Sequence, residues 1–191
     1  MACSRFRKSH RPTLLYAVTP VNAVVPSGLQ LLVGNLAAVA HAEHEAVEDR
    51  DTVVGFARAL RQIASSGPAL PFPYGTTVAD LAELRVVIAE NEDAWSTRLA
   101  AVSGCCELIV HLQPAADVVA ERDEVLATLR PWLRESTRVP GGGADRVAVL
   151  VPSAAAGRAR LRLERWAAER PDLELAVTGP WPPFSFCEAS V

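Results

Sequence analysis

Lysine is almost missing from this chain of 191 residues: Lys8 is the only one, and the other eighteen of its nineteen basic side chains are arginine. Cysteine is scarce too. Cys3, Cys105, Cys106 and Cys187 contain no C-x-x-C pair, and adjacent Cys105 and Cys106 do not readily bond to each other. This argues against a disulfide framework and fits a reducing compartment. Excess charge is lacking as well, at −3 with a pI near 5.8, so no strong field draws the chain to nucleic acid or to an acidic membrane. Nor is there a long apolar run. The basic start (Arg5, Arg7, Lys8, Arg11) imitates a signal peptide, but the run Leu14 to Val18 stops at Thr19-Pro20. It is too short for a secretory segment and far too short to span a bilayer. Residues 1–12 are expected to form a flexible basic arm on a cytoplasmic protein.

The usual signatures of chemistry are missing too. Pro140-Gly-Gly-Gly143 is glycine-rich but lacks the Lys-Ser/Thr of a phosphate loop, and no helix begins directly after it, so it reads as a linker. His41-Ala-Glu-His-Glu45 offers two imidazoles, but a metal would need a further ligand, for which Cys105 and His111 are only guesses. A solvated loop is the better account. No motif pairs a cysteine with a histidine as nucleophile and base. No enzyme activity, cofactor, metal or small-molecule substrate is expected.

What is present is a chain half apolar and one-fifth charged, ordinary for a globular protein and long enough for one large domain or two small ones. Thr13–Val18 reads as a first strand. Leu29–Val33 and Leu36–Ala40, separated by Gly34-Asn35, read either as a hairpin or as one bent strand. From Asp51, a plausible N-cap, Val53, Phe56, Leu60 and Ile63 recur at helical spacing until Gly67-Pro68. Leu70-Pro-Phe-Pro-Tyr-Gly75 is too proline-rich for a central strand and belongs at an edge or in a loop. Thr77-Val-Ala-Asp80 resembles a capping box opening a long helix. Its inward stripe is Leu81, Leu84, Ile88, Trp95, Leu99 and Val102, and Gly104 closes it.

Leu108, Val110 and Leu112 then alternate with Glu107, Ile109 and His111, as in a strand covered mainly on one face. Residues 117–130 read as a helix with Val118, Val125, Leu126 and Leu129 inward, ended by Pro131. Arg146–Val151 reads as a buried strand, Ser153 as an N-cap, 154–169 as an arginine-rich helix with an Arg160–Glu164 pair, and Leu173–Thr178 as the last strand. The fold class is therefore α+β with two small α+β domains, 13–104 and 105–178. The second is similar to a truncated ferredoxin-like unit.

Residues 179–191 form a proline and aromatic strap, with Pro180, Pro182 and Pro183 leaving few backbone donors for a helix. An extended, polyproline-like course is expected. Trp181, Phe184 and Phe186 would either seal the two halves together or anchor a partner, and these readings do not exclude each other.

Three stretches now carry a resemblance. Thr178-Gly-Pro-Trp-Pro-Pro-Phe-Ser-Phe186 resembles the terminal signature of the gas vesicle protein F/L family, usually L-T-G-P-W-P-P-Y-S-F, with Phe184 standing where tyrosine is usual. Leu70-Pro-Phe-Pro-Tyr-Gly-Thr76 is similar to the family's LPxxFG(T) segment, with Tyr74 for phenylalanine. Gly104-Cys-Cys-Glu-Leu-Ile-Val110 resembles its G-x-x-E strand start at Glu107. Leu14-Leu-Tyr-Ala-Val18 is similar to the family's first strand. In one respect the chain departs from the family. Members are usually longer before the Arg146 strand, so residues 113–144 read as abbreviated, and the small-residue-Gly-x-Tyr-Leu segment is not recognisable.

The resemblance implies two α+β domains, the C-terminal one a modified ferredoxin-like fold. It also implies a non-enzymatic accessory protein, cytoplasmic and at the gas vesicle, that binds the major shell protein and other gas vesicle accessory proteins to assist nucleation or assembly. A minor structural component retained in the shell is the alternative, and a small-molecule-binding ferredoxin-like module ranks behind both. The motif residues Pro71, Phe72, Tyr74, Gly75 and Glu107, with Gly179, Pro180, Trp181, Pro182, Pro183, Phe184 and Phe186, are the candidates for partner contact.

Overall fold

A computed structural model of the chain describes residues 12–25, 30–33, 36–41, 49–114, 118–140, 145–170 and 173–186. The basic arm up to Arg11, the Gly34-Asn35 turn, His44, the Gly141–Gly143 run, Cys3 and Cys187 lie outside the described residues.

The first half holds β1 (Thr13–Pro20), β2 (Gln30–Val33), β3 (Leu36–His41), α1 (Arg50–Ser65), β4 (Leu70–Pro71), β5 (Thr77–Val78) and α2 (Leu81–Val102). β2 and β3 pair antiparallel, with Val33 opposite Ala37, so the two apolar runs form a hairpin and not one bent strand. β1 is central: β3 pairs with one side of it, and β4 and β5 with the other. A bulge between Leu15 and Ala17 interrupts its period, so Leu14 and Ala17 share one core and Leu15 and Val18 another.

Four local expectations are corrected by the structure. The cap of α1 is Asp49, not Asp51. Its carboxylate accepts from Thr52 N at 2.8 Å and Thr52 Oγ1 at 2.9 Å, and these bonds hold it below the usual carboxylate range. Val53 is exposed, because the first turn of α1 carries no buried residue and the helix engages the sheet only from Phe56 onward. The capping box of α2 lies three residues later than expected. Thr77 is drawn into pairing with β1, and Asp80 caps Ala82 N and Glu83 N at 2.8 and 2.9 Å. The Glu83 carboxylate reaches back to Ala79 N. Leu81 precedes the buried stripe and is exposed, whereas Leu84, Ile88, Trp95, Leu99 and Val102 are all buried.

The second half runs β6 (Cys105–Pro114), α3 (Val118–Leu129), β7 (Glu135–Arg138), β8 (Asp145–Pro152), α4 (Ala156–Ala168) and β9 (Leu173–Trp181). Its antiparallel sheet has the order β7-β8-β6-β9, which with the two helices makes a complete β-α-β-β-α-β unit. The unit is therefore not truncated. The strand missing from the sequence reading is β7, Glu-Ser-Thr-Arg, an edge strand without apolar alternation. Ser153 does not cap α4. It opens a 3₁₀ turn over Ser153–Ala155, and its backbone N–H donates to Gly104 O at 2.9 Å.

Layering follows from the alternation. Phe56, Leu60 and Ile63 of α1 bury one face of the first sheet with Leu14, Ala17 and Val39. The stripe of α2 buries the other face, and the same stripe shares a core with Ala148 and Leu150 of β8. On the far side of the second sheet, Val147, Val149 and Val151 meet α3 and α4 through Val125, Leu129, Ala159 and Leu163. β8 is buried on both faces, and α2 joins the two sheets.

Candidate interaction site

Glu107 enters the second sheet on the face away from α3 and α4, where a carboxylate would ordinarily seek water. It is instead 1 % exposed. Its two oxygens accept from Ser185 N and Ser185 Oγ, both at 2.8 Å, across 78 residues of chain. Burial pushes its pKa above the usual carboxylate range, with the two Ser185 bonds opposing the shift. The motif glutamate and the proline and aromatic segment thus form one assembly, and Glu107 also stands opposite Trp181 across β6 and β9.

Residues 179–181 continue β9, and Phe184–Phe186 makes a 3₁₀ turn with Phe184 N bonded to Pro182 O and Phe186 N to Pro183 O. The segment is therefore not the extended strap that its prolines suggest. Pro182 and Pro183 lack N–H groups but their carbonyls still accept, which is all this turn requires. Gly179 is obligatory by geometry. Its φ is +111°, and a Cβ there would stand 2.7 Å from Glu107 O.

Two arginines hold the segment. Arg160 of α4 donates to Gly179 O at 2.8 Å and Val177 O at 3.1 Å instead of pairing with Glu164, because its side chain lies over β9 and not out along the helix. Arg98 of α2 donates through Nε to Phe186 O and through Nη1 to Glu135 at 2.8 Å, with its guanidinium 5.9 Å from the Phe186 ring centre. Phe186 is buried in the core shared by the two sheets. Trp181 is half-buried, its Nε1 donating to Thr178 Oγ1 at 3.3 Å, and Phe184 is exposed.

Trp181 and its prolines form one wall of a groove of about 620 Å³. The opposite wall is the C-terminal end of α1 with Gly67, Pro68 and Ala69, and the floor runs from Val102 to Cys106. Arg61 sits 5.8 Å above the Trp181 ring centre, a cation–π arrangement. Cys106 is buried and Cys105 half-buried, as their alternation predicts. Burial raises the Cys106 thiol, the reverse of what a nucleophile needs. Among the described residues no group of three or more His, Cys, Asp or Glu side chains could hold a metal ion, and no helix is long and apolar enough to cross a membrane.

The other motif residues lie elsewhere. Pro71 and Phe72 are buried at the β4 edge, and Phe72 meets Trp95 edge-on at 5.9 Å. Tyr74 faces the opposite side of the first sheet, edge-on to Phe56 at 5.1 Å, with Gly75 in the turn beside it at φ +85°. The structure thus brings Glu107 together with Gly179–Phe186, places Phe72 in the same core as Phe186, and leaves Tyr74 and Gly75 apart. Arg61, Arg98, Arg160 and Ser185 were missed as members of the site. The only available signal for Ser185 was its place within the terminal motif.

No curated protein matches the chain by sequence. In fold it is similar to the crystal structures of the gas vesicle protein GvpF from Anabaena sp. PCC7120 and from Microcystis aeruginosa. For the first, the TM-score is 0.75 at 12 % identity, covering 94 % of this chain and 97 % of that one. For the second, it is 0.73 at 13 % identity, covering 94 % and 99 %. The sequence also matches the family described as gas vesicle synthesis protein GvpL/GvpF, over residues 15–141 and 119–188. These spans take in the Pro71–Gly75 edge, the Glu107 strand and the terminal segment that closes over it, and so the chain belongs to the GvpL/GvpF family.

Proposed function

We propose that this chain serves gas vesicle formation as a non-enzymatic accessory protein that binds the major shell protein and other gas vesicle proteins. The observation that carries this reading is the groove under Trp181. It is an open, mostly apolar surface whose wall is the Pro180–Pro183 segment with Trp181, and Trp in a rigid setting suits an interface anchor. The groove brings together no nucleophile and base, which favours binding over chemistry. Localisation at the vesicle in the cytoplasm follows from the same reading.

The test is recovery of partners by the tagged full chain from cells co-expressing the major shell protein and the other vesicle proteins. Recovery of the shell protein is expected, and clean protein without any vesicle component would overturn the reading. Trp181→Ala should abolish recovery with unchanged melting, since Trp181 stands outside the buried core clusters. A loss of about 3 kcal/mol or more would instead mark it as a structural seal.

A further inference from the structure

The second sheet has two edges, and they are finished differently. At β9, Arg160 donates to Val177 O and Gly179 O, so two carbonyls that could meet a further strand are taken. At β7 the pairing with β8 fixes which groups remain. Val139 N donates to Arg146 O at 2.9 Å, in step with Thr137 opposite Ala148 and Glu135 opposite Leu150. Residues that exchange hydrogen bonds alternate along an antiparallel ladder, so Glu135, Thr137 and Val139 turn their N–H and C=O groups to β8. Those of Ser136 and Arg138 point outward, and no described residue pairs with them.

The side chains of Glu135 and Thr137 lie on the α2 side, where they form one rim of a hollow of about 370 Å³. Its base is buried Leu70, Trp95 and Phe186, and its other rim is Asn91 and Arg98 of α2. Asn91 Nδ2 donates to Val87 O at 2.8 Å, and among the described residues nothing donates to its Oδ1. Glu135 engages Arg98 through Oε2 alone. An antiparallel strand added at the free edge would set one residue opposite Thr137. That pair exchanges no hydrogen bonds, so its Cα atoms stand about 4.5 Å apart and its side chains are closest. The newcomer's side chain therefore enters the hollow that Thr137 lines.

We infer that β7 accepts an extended segment of a partner protein as a fifth, antiparallel strand of this four-stranded sheet, with a tyrosine of that segment seated between α2 and β7. The outward groups of Ser136 and Arg138 supply affinity, and the hollow supplies the choice of side chain. A phenol is singled out because the base offers aromatic rings while the rim offers unengaged acceptors beside a guanidinium. Its oxygen both donates and accepts, whereas phenylalanine does neither and tryptophan only donates. β7 itself, Glu-Ser-Thr-Arg, is too short and polar to pair indiscriminately. The inference rests on the accessory-protein reading above only for the identity of the partner, and it uses none of the groove under Trp181.

The test uses the isotope-labelled full chain and the end-capped peptide Thr-Thr-Tyr-Thr-Thr, followed by nuclear magnetic resonance. Saturable shifts of the Ser136 and Arg138 amide signals, with slowed exchange of both protons, are expected. Replacing the peptide's tyrosine by phenylalanine should weaken binding about tenfold. Methylating the nitrogens of its second and fourth residues removes the donors that face Arg138 and Ser136, and should abolish binding. Ser136→Pro should abolish it too, since the ring removes an outward N–H and no bond to β8. Amide signals that stay unshifted up to the peptide's solubility overturn the inference. Undiminished binding of the methylated peptide overturns it as well, and that control needs no variant to fold. If the chain recovers no vesicle protein from cells yet binds the peptide in this way, the accessory reading falls while the edge site stands. Recovery of vesicle proteins without peptide binding sinks the edge site alone.

Discussion

A carboxylate sealed from water beside a serine gives the residue scale its clearest prediction. Burial makes the neutral form of Glu107 favourable in the fold, so the folded chain keeps a proton that the unfolded chain has released. The resulting stabilisation is complete below the ordinary carboxylate range and is lost as pH rises through the elevated value. Glu107→Gln removes the titration while preserving shape, and Ser185 Oγ can turn to accept from the new amide. As pH rises from the ordinary carboxylate range through the elevated value, the melting temperature of the natural chain should therefore fall relative to that of E107Q. Parallel curves would show that Glu107 does not titrate in this range. The sequence marked Glu107 as a motif position but gave no sign of its burial. Alternation along β6 grouped it with half-exposed Ile109 and His111, and the cover comes from a segment 78 residues later.

Elements were legible wherever one face alone decides their period. The stripe on α2, the alternation in β6 and the doubly buried run of β8 follow directly from apolar spacing. Failures gathered where a residue answers to something outside its own element. Thr77 pairs with β1 instead of capping a helix, and β7 has no apolar rhythm because it is a polar edge. Arg160 belongs to β9 more than to its own helix. Its two bonds to β9 carbonyls are charge-assisted, and Arg160→Ala should cost about 1–3 kcal/mol. Amide exchange around Val177–Gly179 should rise, while Arg162→Ala, on the exposed side of the same helix, should leave both readings unchanged. Equal effects from the two substitutions would reduce Arg160 to a surface charge.

At the scale of the whole molecule, α2 decides how many pieces the chain is. Composition and strand order suggested two domains meeting near Gly104, and the two halves share one core through Leu15, Phe72, Trp95, Leu150 and Phe186. Trp95 is its largest side chain, 3 % exposed, and Trp95→Ala should cost about 3–5 kcal/mol. Because the core draws on both sheets, the loss should lower a single transition seen alike by far- and near-ultraviolet circular dichroism. Two separated transitions would instead show that the halves unfold independently. Which residues build the shared core was not legible, because α2's stripe reads the same whether it covers one sheet or two.

The terminal segment also imposes an order in time. Residues 179–186 leave the ribosome after every other described element, and until they do, the carboxylate on β6 has no serine above it and the groove lacks its tryptophan wall. If the groove under Trp181 is the docking surface proposed above, only chains whose synthesis has passed this segment can offer it, and half-made copies leave partners free.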